Sequence, residues 1–305
     1  MVDLQESTTA KLCSFARAFH SNFERNKIFD DYLAYDMMGK EQYEKIGQLI
    51  ENQYRPELFD PDRGFGKERI YQELIHYIAP IPLSRIAFAE QELQAFARIY
   101  KSCQYVICGA GMDTFSFRND HSAIRIFELD HPDTQRYKLQ RIEELEWSIP
   151  DNVRYVAVDF STDGMKDALN NSEFDPDLPT FFSILGVTYY LSLSAFEQTF
   201  RQISSLSSGG SKIAFDYPDE TTFQKNNVPR VKYLSEITRK LGEPMVQGFT
   251  LQDMKDILAR NGFSIENHMT PQNIQKEYFA NRSDQQRAFE NIHFILAEKE
   301  NANHE

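Results

Sequence analysis

The residues that could do chemistry in this chain sit directly behind short apolar runs. Gly109-Ala110-Gly111 follows the run Tyr105 to Cys108, and Asp113 comes two residues later. Paired glycines let a backbone turn tightly and bring its N–H groups close to a ligand. Taken alone, such a pair is equally an ordinary strand-to-helix turn. About 20 residues on, Asp130 ends a second apolar run, Ile124 to Asp130. A carboxylate there can accept hydrogen bonds from both hydroxyls of a ribose. The competing role is a helix cap, since Pro132 suits a first helical position; the spacing to the glycines favours ribose binding. A dinucleotide site would want a third glycine or alanine three residues after the second, and that position is Thr114. A pyrophosphate would also be repelled by Asp113, whereas a cationic methionine moiety tolerates it. The pattern therefore favours S-adenosyl-L-methionine over NAD, and a methyltransferase over a Rossmann-type oxidoreductase. A cofactor-binding protein without transfer activity remains a third reading.

Other candidates are less specific. Asp216, Asp219 and Glu220 could hold a divalent cation, although three acids on a loop are more often solvated. His131 could act as a base or as a cap beside Pro132. Tyr189 and Tyr190 could serve a phenol or enol acceptor, and none of these three is assigned a catalytic role. Phe15, Phe19 and Phe23 form a helical stripe suited to packing. The seven histidines and three cysteines show no metal-ligand spacing, so no metal is expected.

These residues need a scaffold, and the periodicity supplies one. Apolar spacing predicts helices over Ser7 to Phe23, over about Lys40 to Tyr54, and from an N-cap at Ser84 to Tyr100, with Pro80 and Pro82 interrupting the chain. Beyond Ser102, strand-like runs alternate with helices. The strands are Tyr105 to Cys108, Ile124 to Asp130, Val153 to Phe160, Thr180 to Leu185, Lys212 to Tyr217, Phe263 to His268 and Ile292 to Glu298. The helices are Pro132 to Leu145, Ser194 to Leu206 with a Ser194/Glu197 capping box, and Thr250 to Ala259 before Asn261-Gly262. Such alternation implies βαβ units and a mostly parallel twisted sheet with helices on both faces, a Rossmann-like α/β fold. The expected division is a helical N-terminal cap over 1–101 and a cofactor-binding domain over 102–305.

Composition narrows the partners. The 305 residues are 41% hydrophobic and 26% charged, which excludes disorder. Net charge is 33 − 46 = −13, an unsuitable field for general nucleic-acid or anionic-membrane binding. The acidic start of the chain lacks the pattern of a signal peptide, and no run reaches the roughly 20 apolar residues of a membrane span. A reduced, soluble, cytoplasmic protein is expected; oligomeric state is open.

Three segments in order, VICGAGMDTFSFR (Val106 to Arg118), IFELDHPDTQRYK (Ile126 to Lys138) and NVRYVAVDF (Asn152 to Phe160), resemble the leucine carboxyl methyltransferase family, which includes bacterial S-adenosylmethionine-dependent O-methyltransferases that modify polyketides. The likeness extends to TFFSILGVTYYLS (Thr180 to Ser192) and STTAKLCSFARAF (Ser7 to Phe19). It implies a class I methyltransferase in which Gly109, Ala110 and Gly111 approach the methionine part of the cofactor and Asp130 binds its ribose. Asp159 would accept from the adenine amino group and Phe160 would pack on the ring. Arg85 would grip the cofactor carboxylate, with Arg17 a weaker candidate. One departure stands out: members that modify protein phosphatases carry a glutamate where this chain has Leu185. The resemblance therefore implies O-methylation of a small-molecule carboxylate or hydroxyl, the alternative acceptor being a protein C-terminus.

Overall fold

The computed structural model describes residues 7–53, 74–160, 164–224 and 228–301. Seven strands form one sheet: β1 (Cys103–Cys108), β2 (Ile124–Asp130), β3 (Val153–Ala157), β4 (Thr180–Ile184), β5 (Lys212–Pro218), β6 (Phe263–Met269) and β7 (Ile292–Lys299). Their spatial order is β3-β2-β1-β4-β5-β7-β6; β1 to β5 run parallel, and β7 is antiparallel to both its neighbours. The order reverses between β1 and β4, so the carboxyl ends of these strands open the crevice where ligands bind in such sheets. The predicted strands are all present, with one end corrected. β3 stops at Ala157, so Asp159 and Phe160 lie beyond it.

Helices cover both faces because the central strands are apolar on both sides. Along β1, Cys103, Tyr105 and Ile107 face one core while Val106 and Cys108 face the other. The first face is covered by α4 (Pro80–Ile99), where Phe88 meets Phe294 at 5.4 Å and Phe96 meets Phe181 at 5.6 Å between ring centroids. The second is covered by α8 (Leu193–Ser205) and α10 (Leu251–Arg260) through Phe196, Phe200, Ile257 and Leu258. Between these come α5 (Phe115–Arg118), α6 (Pro132–Glu144), α7 (Met165–Asn170) and α9 (Pro229–Lys240); α11 (Pro271–Tyr278) follows β6.

Ahead of the sheet, α1 (Thr8–Phe23), α2 (Ala34–Met38) and α3 (Lys40–Gln53) build a separate small core of Leu12, Phe15, Met38, Ile46 and Ile50. Phe15 is buried against Tyr43 at 4.4 Å, while Phe23 at the end of the stripe is exposed. Tyr54, the expected end of α3, lies outside the described residues. α4 joins the two cores: Leu83 packs with the N-terminal helices and Phe88 onward with the sheet.

Two predicted helix starts move. α4 begins at Pro80, because a proline in the first turn needs no N–H and its fixed φ suits a helix. Ser84 is thus inside the helix, donating to the Pro80 carbonyl at 2.5 Å. α8 is capped by Ser192, whose hydroxyl accepts from the Ala195 amide, while Glu197 pairs with Arg260 across to α10. Among the described residues no helix is long and apolar enough to cross a membrane.

Candidate active site

The glycine turn after β1 is built from the next strand. The Gly109 and Ala110 amides donate to the Leu129 carbonyl, and the Gly111 amide donates to Asp130 Oδ2 at 2.5 Å. The other oxygen, Oδ1, accepts from the His131 amide at 2.7 Å. Gly109 and Gly111 have φ of 79° and 51°, the left-handed region that glycine enters without strain. A side chain at 109 would press on Val187, whereas a Cβ at 111 would meet open space. Asp130 is therefore the clamp of the turn and not the cap of α6, which is His131, whose Nδ1 accepts from the Asp133 amide. Asp130 also accepts from the Thr134 hydroxyl and keeps lone-pair capacity for a further donor. Burial raises its pKa, and the Gly111 and His131 amides oppose this.

Arg85 sits opposite on α4. Its Nη1 donates to Asp216 Oδ2 at 3.3 Å, and its Nη2 lies 3.9 Å from Cys13 Sγ. Asp216, fully buried at the end of β5, also accepts from the Tyr189 hydroxyl at 2.6 Å and the Gly186 amide at 2.7 Å. Burial opposes the charge on Arg85, but Asp216 and neighbouring groups outweigh it, so the guanidinium stays charged. Its Nε is buried with no hydrogen-bond partner. Such an atom costs free energy unless a ligand meets it.

A second network holds the turn from below. Arg17 donates to Asp31, to Ser14 and, at 2.9 Å, to the Met112 carbonyl. Asp31 accepts from Thr114, which accepts from Arg118, and Arg118 forms a bidentate pair with Glu90 at 2.5 and 3.0 Å. Burial raises the Glu90 pKa and Arg118 opposes that rise. Thr114 is thus an anchor of the turn, which explains the polar residue at the position a dinucleotide site gives to glycine. Arg17 grips this turn's backbone.

Both networks border one cavity of about 380 Å³. Arg85, Gly109, Ala110, Gly111, Asp113 and Asp130 line it together, as do Arg17, Leu185, Tyr189 and Tyr190. Asp159 and Phe160 stand apart from its lining; Asp159 lies 4.0 Å from His131 Nε2, and Phe160 is 44% exposed. Burial pushes Tyr189 well above the ordinary phenol range and Tyr190 up to about 12. Sequence reasoning missed two participants, Gly186 and the role of Asp216. An acid inside the otherwise apolar run Ile213 to Tyr217 was the available signal for the latter.

Two of the three acids considered for a cation, Asp216 and Asp219, are otherwise engaged, and Glu220 is exposed. Asp219 accepts from the Thr221 amide and hydroxyl and from His293. Among the described residues no group of three or more His, Cys, Asp or Glu side chains is placed to hold a metal.

The chain matches the leucine carboxyl methyltransferase family over residues 10–204. It is 33% identical over 303 residues to "Putative S-adenosyl-L-methionine-dependent methyltransferase YktD" of Bacillus subtilis, covering 97% of this chain and 98% of that one. A relative from Mycolicibacterium paratuberculosis, named as the same kind of methyltransferase, is 31% identical over 215 residues, 70% of this chain and 67% of its own length. A solved DUF574 family protein from Streptomyces avermitilis shares the fold with a TM-score of 0.56 at 12% identity, over 98% of this chain and all of the other. The seven-stranded sheet with helices on both faces is the expected Rossmann-like class I methyltransferase fold. With the glycine turn, Asp130 and Arg85 gathered on one cavity and the family matched over most of the same segments, the chain belongs to the leucine carboxyl methyltransferase family.

Proposed function

We propose that this protein is an S-adenosyl-L-methionine-dependent O-methyltransferase whose acceptor is a small-molecule carboxylate. The observation that carries the proposal is Arg85, a largely buried cation, 13% exposed, with a buried unpartnered Nε, facing the same cavity as the glycine turn. A cofactor carboxylate would meet that guanidinium, its methionine arm would lie along Gly109 to Gly111, and its ribose would use the remaining lone pairs of Asp130. Asp159 and Phe160, just past β3, would take the adenine. Asp113 and Asp130 on the lining disfavour a pyrophosphate, and so disfavour NAD.

When bound, this cofactor supplies a methyl group on a sulfonium, already activated for in-line displacement. The residues of the chain then have to orient the acceptor, align it with that methyl and exclude water. The tyrosines near the cavity favour an acceptor that arrives ionised. Tyr189 donates its proton to Asp216, Tyr190 holds its own up to about 12, and no histidine lines the cavity among the described residues. A carboxylate needs no base: its oxygen lone pair forms the C–O bond, the electrons of the C–S bond return to sulfur, and no proton is released. Leu185 in place of the glutamate of the protein-modifying members supports a small molecule over a protein C-terminus.

Calorimetry on the full chain is the test, with S-adenosyl-L-homocysteine and NAD as ligands, followed by a labelled-methyl assay on a metabolite extract and on whole proteome in parallel. Binding of the adenosyl ligand and base-labile label in the metabolite fraction are expected. Tight NAD binding without adenosyl binding, or label chiefly on protein, would overturn the proposal.

A further inference from the structure

The cavity lining is of two chemical kinds. Around the glycine turn and Arg85 it is charged and polar. Much of the rest is supplied by helical stripes from outside the sheet: Ala10 and Cys13 on α1, Ile81 on α4, Tyr233 and Ile237 on α9 and Leu241 at its C-terminal cap, with the uncharged polar Thr9, Ser14 and Thr238 among them. The spacings 10/13, 81/85 and 233/237/241 put one face of each helix on the cavity. Among the described residues, the helical walls contribute two charged groups, Arg17 and Arg85, and both are already paired, with Asp31 and Asp216. No lysine, histidine or acid comes from these walls.

The walls are tied to one another. Tyr77 packs on Tyr233 at 4.3 Å, joining the turn Leu74–Ile78 to α9. Arg230, at the start of α9, donates to the His76 and Ala288 carbonyls and lies over the Phe289 ring at 4.1 Å. Glu243, just after α9, accepts from Ser7 Oγ at 2.7 Å and from the Thr8 amide at 2.8 Å, which links α9 to the start of α1. A cavity of about 380 Å³ held on these sides is of the size that takes a small ligand.

We infer that the acceptor is a monocarboxylic acid with an apolar aliphatic or aryl body, seated with that body between α1, α4 and α9 and its carboxylate toward the glycine turn. This inference rests on the methyltransferase reading above and adds the class of substrate. A second charge at the far end of the acceptor's body, an amino group or another carboxylate, would be desolvated between these walls with no partner of opposite sign left free. Each methylene of the body, in contrast, gains by leaving water, by roughly four-fold in affinity while wall remains to be covered. The reaction is the one described: the acceptor oxygen takes the methyl, sulfur regains the bonding pair, and a neutral methyl ester leaves an apolar chamber suited to release it without charge separation.

The test uses the full chain loaded with S-adenosyl-L-homocysteine and titrated calorimetrically with butyrate, octanoate, dodecanoate, phenylpropionate, the octanedioate dianion and 8-aminooctanoate. Affinity is expected to rise about four-fold per methylene from butyrate to octanoate, with phenylpropionate bound and with octanedioate and 8-aminooctanoate at least ten-fold weaker than octanoate. Ile237→Glu, on the chamber wall, should abolish that rise while S-adenosyl-L-homocysteine binds as before; Ile237→Leu should preserve it. Affinity independent of chain length in a protein that binds S-adenosyl-L-homocysteine would overturn this inference alone, as would preference for 8-aminooctanoate or octanedioate. Failure to bind S-adenosyl-L-homocysteine would overturn it together with the reading beneath it.

Discussion

The guanidinium of Arg85 occupies the space that a side chain at Gly186 would need: a Cβ built there falls 2.5 Å from both Nη1 and Nη2. Gly186 also has φ of 75°, which only glycine adopts cheaply. The glycine after β4 therefore lets the end of β4, Asp216 at the end of β5, and Arg85 on α4 meet at one point. Gly186→Ala should push the guanidinium off Asp216 while leaving the sheet folded. The expected result is a 10- to 100-fold loss of S-adenosyl-L-homocysteine affinity by calorimetry, about 1.4–2.7 kcal/mol. Unchanged affinity in a folded variant would mean that Arg85 does not hold the ligand.

Much of this arrangement is legible in the sequence, and what is not has an identifiable cause. The glycine turn and Asp130 declare themselves because strand ends in a parallel sheet are punctuated by polar residues at fixed offsets. Asp130 nevertheless does more than the spacing suggests, since it accepts from the Gly111 amide of the turn and from the amide of its own neighbour His131. Asp216 was legible as an oddity and not as a partner, because its contacts lie 131 and 27 residues away in Arg85 and Tyr189. Arg17 points to the cavity on family likeness, but its hold on the Met112 carbonyl, 95 residues distant, follows only from how α1 packs. Pro80 misleads because proline ends a helix when inside it and starts one when at its first position. Local chemistry is written locally; which charge meets which is decided by topology.

His20 makes the N-terminal core sensitive to acid. Its Nε2 accepts from the Ile28 amide at 2.8 Å, and burial, reinforced by Arg282, lowers its pKa from 6.5 to about 4. Between those values the unfolded chain binds more protons than the native one, so stability rises with pH through the window and is lost on acidification. The full difference amounts to roughly 3 kcal/mol. His268, lowered to about 4 by burial beside His293, acts in the same direction. In urea titrations at pH 6.5 and 4.5, His20→Gln should lose less stability on acidification than the wild type, because His268 and the opposing Glu90, raised to about 7 by burial, titrate alike in both proteins. A variant with the full wild-type slope would show that His20 is protonated in the native state.

Glu243 completes the first turn of α1, since the Ser7 hydroxyl and Thr8 amide both donate to it. A carboxylate at a helix N-terminus satisfies an orphan amide and is favoured by the helix dipole. Glu243→Ala should cost about 1 kcal/mol, the usual value of a cap. Because that loss is local, hydrogen exchange should accelerate roughly five-fold at the amides of Thr8 to Leu12, with exchange in β1 and β4 unchanged. Uniform acceleration across the sheet would instead place Glu243 among residues that stabilise the whole molecule.

Asp130 can weaken cofactor binding in two ways when it is removed, and a cycle separates them. As the clamp of the glycine turn it holds the Gly111 amide; as a ribose ligand it would use the lone pairs that remain. Asp130→Ala should lower affinity for S-adenosyl-L-homocysteine by roughly 1–3 kcal/mol through either route, the range for a charged hydrogen-bond partner lost. The two routes differ when the ligand itself lacks the ribose hydroxyls. Measured with adenosine and 2′,3′-dideoxyadenosine on wild type and variant, a coupling energy of 1 kcal/mol or more is expected, because Asp130→Ala should cost little once the hydroxyls are gone. A coupling near zero would assign the whole effect to the turn, leave the ribose to other residues, and reduce Asp130 to a residue that holds the turn in which Gly109 and Gly111 are left-handed.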